Sequence, residues 1–171
     1  NQLRTVRWVD LEDVESPKDD LRYQAAAKGA APIARGEGIH MDNGEIFVCS
    51  TRGGGKKCGQ VFRVIPSDDG SSDTMELFYE STSHDVFNSG DNITVAPNGH
   101  LILCEDQYTD EVDNYLRGLT PNGVAYHIAR LRIQTELAGA CFSPDGNILF
   151  VNVFSPARTL AITGPWDRFV L

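Results

Sequence analysis

Apolar and polar positions alternate over short stretches of this chain, and one arrangement occurs three times. The segments Glu37 to Gly44 (EGIHMDNG), Asn92 to Gly99 (NITVAPNG) and Gly139 to Gly146 (GACFSPDG) each read as a strand ending at Asn-Gly or Asp-Gly. A second apolar strand follows each turn: Glu45 to Cys49 (EIFVC), His100 to Cys104 (HLILC) and Asn147 to Val151 (NILFV). Asn-Gly and Asp-Gly supply the positive φ angles that a tight hairpin needs. The three turn glycines, Gly44, Gly99 and Gly146, are spaced by 55 and then 47 residues. A hairpin repeated at this interval predicts a β-propeller with one blade per repeat, an all-β fold whose first strands line a central channel.

The remaining pattern fills in the blades. Strands are expected at 36–41, 45–51, 59–65 and 75–80, with an exposed Ser/Asp/Gly-rich turn from Pro66 to Asp73. The second blade is expected at 92–96, 100–105 and 122–130, interrupted by a long polar loop from Asp106 to Leu119. The third is expected at 138–143, 147–153 and 158–163, stopped by Gly164 and Pro165. Residues 1–34 differ: they are charged, broken by Pro17, and carry a helix-forming stretch from Leu21 to Lys28 that Gly29 ends. The division is therefore an N-terminal charged and helical segment, 1–34, with its helix packed outside a partial propeller, 35–171.

Length changes this picture. The 171 residues hold roughly two and a half to three blades, whereas closure takes at least about four. The chain is expected to be the C-terminal portion of a larger domain that is closed by missing N-terminal blades or by self-association. Its net charge of −9 disfavours nucleic acid, whose phosphates need a basic face. No apolar run approaches the length of a membrane span. Cys49 and Cys104 stand five residues after their turn glycines, where Val151 stands in the third repeat, so both read as small buried apolar side chains. Cys58, in a Gly/Lys loop, is expected to be exposed. None of the four cysteines has zinc-finger spacing.

Candidate chemistry collects where first strands begin. Arg35 and Glu37 are two apart and share one side of a strand. The arginine fork fits phosphate or carboxylate, and glutamate is a hard oxygen ligand; a surface ion pair is the plainer reading. Asp91 and Asn92 are adjacent oxygen donors suited to calcium, or else an Asx turn at the strand start. The pair Glu105-Asp106 follows directly on the apolar run Leu101 to Cys104, which makes it a ligand candidate, and Glu136 precedes the third first strand. The loop Arg52 to Lys57 (RGGGKK) lacks phosphate-loop spacing and is a flexible connection. His40, His84, His100 and His127 show no metal spacing and read as structural. Ser143 begins a turn, and the sequon at Asn92 falls in an apparent buried strand.

The same residues carry a family resemblance. Ala34 to Gly38 (ARGEG), Gly59 to Arg63 (GQVFR), Asp91 to Pro97 (DNITVAP), Leu103 to Asp106 (LCED) and Leu116 to Pro121 (LRGLTP) occur in the order found in PhoX-type alkaline phosphatases. Glu136 to Gly146 (ELAGACFSPDG), Leu149 to Asn152 (LFVN) and Ala161 to Trp166 (AITGPW) resemble that family's C-terminal signature. The resemblance implies a six-bladed propeller that hydrolyses phosphomonoesters at an iron–calcium site in its channel, in the periplasm or outside the cell. It gives Arg35 the substrate phosphate and makes Glu37 a metal ligand, with Asp91, Asn92, Glu105 and Glu136 as further ligands or neighbours of the metal. The family's iron-bound cysteine would lie upstream of this portion, which alone is not expected to be active. Two other readings of the propeller are a non-catalytic binding scaffold and a calcium-dependent lactonase.

Overall fold

The computed structural model describes residues 2–69 and 72–168. They form twelve strands and one short helix, arranged as three antiparallel sheets. The first sheet holds β1 (Arg4–Thr5), β2 (Gly36–Asp42), β3 (Glu45–Ser50), β4 (Gln60–Ile65) and β5 (Thr74–Glu80), in the order β1-β5-β4-β3-β2. The second holds β6 (Gly90–Val95), β7 (Leu101–Glu105), β8 (Tyr115–Leu119) and β9 (Ala125–Arg130). The third holds β10 (Leu137–Phe142), β11 (Ile148–Val153) and β12 (Arg158–Thr163). The helix α1 (Leu21–Ala27) has no buried residue and lies on the surface. Among the described residues no helix is long and apolar enough to cross a membrane.

Each hairpin forms where the turn residues demand it. Asn43 and Gly44 take φ of 48° and 78°, the left-handed pair of a two-residue turn, and join β2 to β3. Gly99 and Gly146 take φ of 81° and 72° at the corresponding turns of the other two sheets. The two strands of each hairpin pair in register near the turn and then shift, between Gly36 and Ile39, Gly90 and Ile93, and Ala138 and Cys141. Each first strand thus carries a bulge-like irregularity at the end far from its turn, which bends it and re-aims its side chains.

Burial of the sheet faces stacks the sheets. Phe47, Cys49, Val61, Phe78 and Tyr79 of the first sheet meet Ile93, Leu101, Leu103 and Leu119 of the second, with Phe87 between them. The opposite face of the second sheet, Ile102, Cys104 and Leu116, meets Ala140, Leu149, Val151 and Val153 of the third. Cys49, Cys104 and Val151 are all buried at equivalent places, as their spacing predicts. The first strands β2, β6 and β10 lie side by side without joining into one sheet. At Gly38 the approach is closest, because a β-carbon there would meet the Asp91 carbonyl oxygen at 2.3 Å.

Among the described residues nothing covers the outer face of the first sheet. Ile39, Val48, Phe62 and Leu77 form one row across the first sheet, and Ile39 and Met41 are 66% and 63% exposed.

Three expectations are corrected. The polar stretch from Asp106 to Leu119 is not all loop: its last five residues form β8, giving the second sheet four strands. Cys58 is buried, because its glycine-rich loop curls inward and the Cys58 carbonyl accepts Ser89 N–H at 2.8 Å. Within residues 1–34, Arg4–Thr5 pairs with β5 and adds an edge strand that two residues were too few to announce. Gly70 and Ser71, in the expected turn before β5, lie outside the described residues.

Candidate metal centre

The side chains at the far ends of the first strands converge. Arg35 is fixed from behind by the end of β3, where Thr51 N–H donates to the Arg35 carbonyl and Ser50 Oγ to the Ala34 carbonyl, both at 2.9 Å. Its φ of 58° is left-handed, so the chain turns sharply just before β2. The guanidinium then reaches two carboxylates: Nε lies 3.2 Å from Glu37 Oε1, and Nη2 lies 3.0 Å from Asp106 Oδ2. Partial burial opposes the charge of Arg35, but Asp106, Glu37 and Asp91 together hold its proton more firmly than usual.

Behind Arg35 stand three carboxylates from different elements. Asp91 lies on β6, Asp106 directly follows β7, and Glu136 directly precedes β10. An oxygen from each lies within 4.8 Å of the other two. Asp91 Oδ1 and Asp106 Oδ1 are buried and receive no hydrogen bond. Burial, then the charges of Glu37 and Asp106, raise the Asp91 carboxyl above its ordinary value. Burial, then contact with Asp106 and the charge of Asp91, push Glu136 up to about 7, against the opposing hydrogen bond from Tyr108. Like charges at this separation retain protons unless a cation replaces them.

The donor set fits a hard cation. Carboxylate oxygens are what calcium takes, and no protein donor among the described residues serves the two buried Oδ1 atoms of Asp91 and Asp106. None of the four cysteines belongs to the group.

Not every expected residue reaches it. Asn92 points elsewhere: its Oδ1 accepts the backbone N–H of Gly139 and ties β6 to β10. Glu37 flanks the group beside Arg35 and Asp91 and is not one of the three clustered carboxylates. Glu105 is buried on the other side of its strand and fully engaged. Its Oε1 accepts from Arg117 Nε at 2.7 Å and from Asn88 N–H at 2.9 Å, and its Oε2 accepts from Tyr115 N–H at 2.9 Å. Burial raises the Glu105 carboxyl while Arg117 and the two N–H groups pull it back. The group takes Asp106 in its place.

Tyr108 is a neighbour that the sequence did not single out. It is 65% exposed and stands beside Glu136 at the rim of the group, where burial and then the Glu136 charge oppose ionisation of its hydroxyl. Its only signal was membership of the polar stretch after Asp106.

A family model, alkaline phosphatase PhoX, matches residues 1–157. None of the curated proteins matches the chain. With nearly its whole length covered by that model, the chain belongs to the PhoX alkaline phosphatase family.

Proposed function

We propose that this member of the PhoX alkaline phosphatase family contributes the phosphate-binding arginine and part of the metal-binding shell of a phosphomonoesterase. The observation that carries the reading is the convergence of Asp91, Asp106 and Glu136 beside Arg35, with two buried oxygens left unpartnered. In this reading the three carboxylates hold calcium, with Glu37 completing the shell through its place beside Arg35. Iron enters through the family resemblance, because the donors present here are oxygens alone. A bound cation supplies positive charge for the phosphoryl oxygens and activates an oxygen nucleophile.

The chain's own residues do the rest. Arg35 is partly exposed and presents N–H donors at the edge of the group, so it orients a phosphate monoester and steadies its developing charge. Asp106 and Glu37 fix the guanidinium from two sides, and a bidentate fork held this way selects a tetrahedral dianion by direction as well as charge.

The three sheets are read as successive blades of a six-bladed propeller, with β2, β6 and β10 facing its channel. The side-by-side first strands and the exposed apolar face of the first sheet support this. Further blades, or a second copy of the chain, cover that face. The family resemblance also supports a place in the periplasm or outside the cell.

The test is metal content and turnover of a generic phosphomonoester in the protein with its ring complete, before and after chelation. The reading expects bound calcium and iron, activity lost with the metals, and activity restored by adding them back. A metal-free protein with no turnover would leave the fold as a binding scaffold.

A further inference from the structure

We infer that Asn114 is a positioning residue that sets the separation of Asp106 and Glu136, with Gln134 as a second tie. The inference rests on reading the three carboxylates as a cation site. Asn114 is completely buried. Its Nδ2 donates to two carbonyls, Gln107 O at 2.9 Å and Thr135 O at 2.8 Å, and its Oδ1 accepts Gln107 N–H at 3.0 Å. Gln107 is the residue after Asp106, and Thr135 is the residue before Glu136. One amide therefore joins the backbones that carry two of the three carboxylates. Gln134 Nε2 adds a bond to the same Gln107 carbonyl at 3.3 Å.

The surroundings make this link stiff. Thr135 is buried, and its hydroxyl accepts Ser155 N–H at 3.0 Å. Gln107 is buried, its side chain donates to the Asp113 carbonyl at 3.1 Å, and Asn88 Nδ2 donates to its Oε1. Asp106 N–H donates to the Ser89 carbonyl at 2.9 Å. Two carboxylates without a cation repel each other, so their closeness has to be imposed by the backbone from beneath. Asparagine suits the task because it offers two donors and an acceptor on one short planar group. Aspartate keeps the shape and the acceptor but loses both donors. Residues behind metal ligands commonly govern affinity by roughly 10- to 100-fold.

The experiment uses this chain with calcium, and terbium as its luminescent substitute excited through tyrosine. Affinity and emission lifetime, which reports the waters left on terbium, are measured for the parent, Asp106→Asn, Asn114→Asp and Gln134→Ala. Leu119→Ala, in the core between the first and second sheets, controls for lost stability alone. Asn114→Asp should bind at least about tenfold more weakly with a shorter terbium lifetime. Leu119→Ala should lower the melting temperature while leaving both readouts at parental values. If Asn114→Asp fails to fold, Gln134→Ala decides, with weaker binding and a shorter lifetime expected. Parental affinity and lifetime in the folded Asn114→Asp protein, or in Gln134→Ala where that variant decides, overturn the positioning role while Asp106→Asn still loses binding. No difference between the parent and Asp106→Asn overturns the cation site itself, and the positioning role with it.

Discussion

Arg35 and Asp106, 71 residues apart in sequence, meet at 3.0 Å across the junction of the first and second sheets. Asp106 Oδ2 holds the guanidinium, and Asp106 Oδ1 is left free for the cation group. One carboxylate thus connects the proposed phosphate-binding and cation-binding halves of the site. Arg35→Ala should leave metal content nearly intact, because arginine cannot ligate a cation. It should raise the barrier to phosphomonoester hydrolysis by about 2–3 kcal/mol, roughly 30- to 160-fold in kcat. Glu37→Gln should lower metal content as well as turnover. Steady-state kinetics paired with elemental analysis checks both, and full turnover in both variants would remove these residues from the reaction.

The cation-free site should make the fold pH-dependent. Glu136 holds its proton up to about 7 in the folded chain, against an ordinary value of 4.5. Between those values the folded state binds more protons than the unfolded state, so this group's contribution to stability falls as pH rises. It is greatest below about 4.5 and has gone above about 7. Asp91 acts in the same sense. In calcium-free buffer the melting temperature of the parent should fall, relative to Glu136→Gln, between pH 5 and 7.5. Calcium should displace the proton and stabilise the parent more at pH 7.5 than at pH 5. An equal calcium response at both pH values would contradict the assignment.

The Glu105–Arg117 pair should be structural, and costly to break. Both side chains are almost wholly buried, and the Arg117 guanidinium also lies 4.1 Å from the Tyr115 ring centre. Arg117→Met removes the charge opposite a buried carboxylate and should destabilise by about 3–5 kcal/mol. Adding Glu105→Gln should cost less than it does alone, since the uncompensated charge is then gone. Denaturant unfolding of the two single variants and the double variant measures this, and strict additivity would show that the pair is uncoupled.

Gly38→Ala should separate the first two sheets at the site. The added methyl would face backbone alone: Asp91 O at 2.3 Å, with Asn92 Cα and Ile93 N both at 2.9 Å. Backbone cannot step aside as a flexible side chain can, so about 1–3 kcal/mol of stability should be lost. Cation affinity should fall as well, because Asp91 moves with the displaced strand. A melting curve and calcium titration matching the parent would mean that the strands sit further apart than described.

The bare outer face of the first sheet should make the isolated chain associate. Ile39 and Met41 are large, apolar and mostly exposed. Replacing both with lysine should shift the chain toward monomer in analytical ultracentrifugation without lowering its melting temperature by more than a degree or two. A parent that is already monomeric at high concentration would show that the face needs no cover.

The hairpins were legible because each turn declares itself: Asn-Gly or Asp-Gly between apolar strands has few other uses. β8 was hidden because two of its five residues are Arg117 and Gly118, and a buried arginine reads as loop until Glu105 is placed opposite it. The site was legible by position but not by parity. Adjacent side chains on a strand face opposite ways, so the pair Glu105-Asp106 sends one carboxylate to Arg117 and the other to Asp91 and Glu136. Alternation usually decides which, but Leu101 to Cys104 are buried on both faces and give no phase. Asp91 and Asn92 pose the same question, and the register shift in β6 answers it locally. The Asn114 link was invisible because it depends on two carbonyls from distant segments.

Those register shifts bear on how such a site can drift. Those of β2 and β6 enclose Glu37 and Asp91 themselves, so the phase of a strand near its turn does not dictate the phase at its other end. If the irregularity in β6 migrated by one residue, Asn92 would replace Asp91 in the group of three carboxylates and remove one negative charge. A single insertion and a nearby deletion in β6 would therefore change the charge of the group while leaving the codons of Asp91, Asp106 and Glu136 untouched.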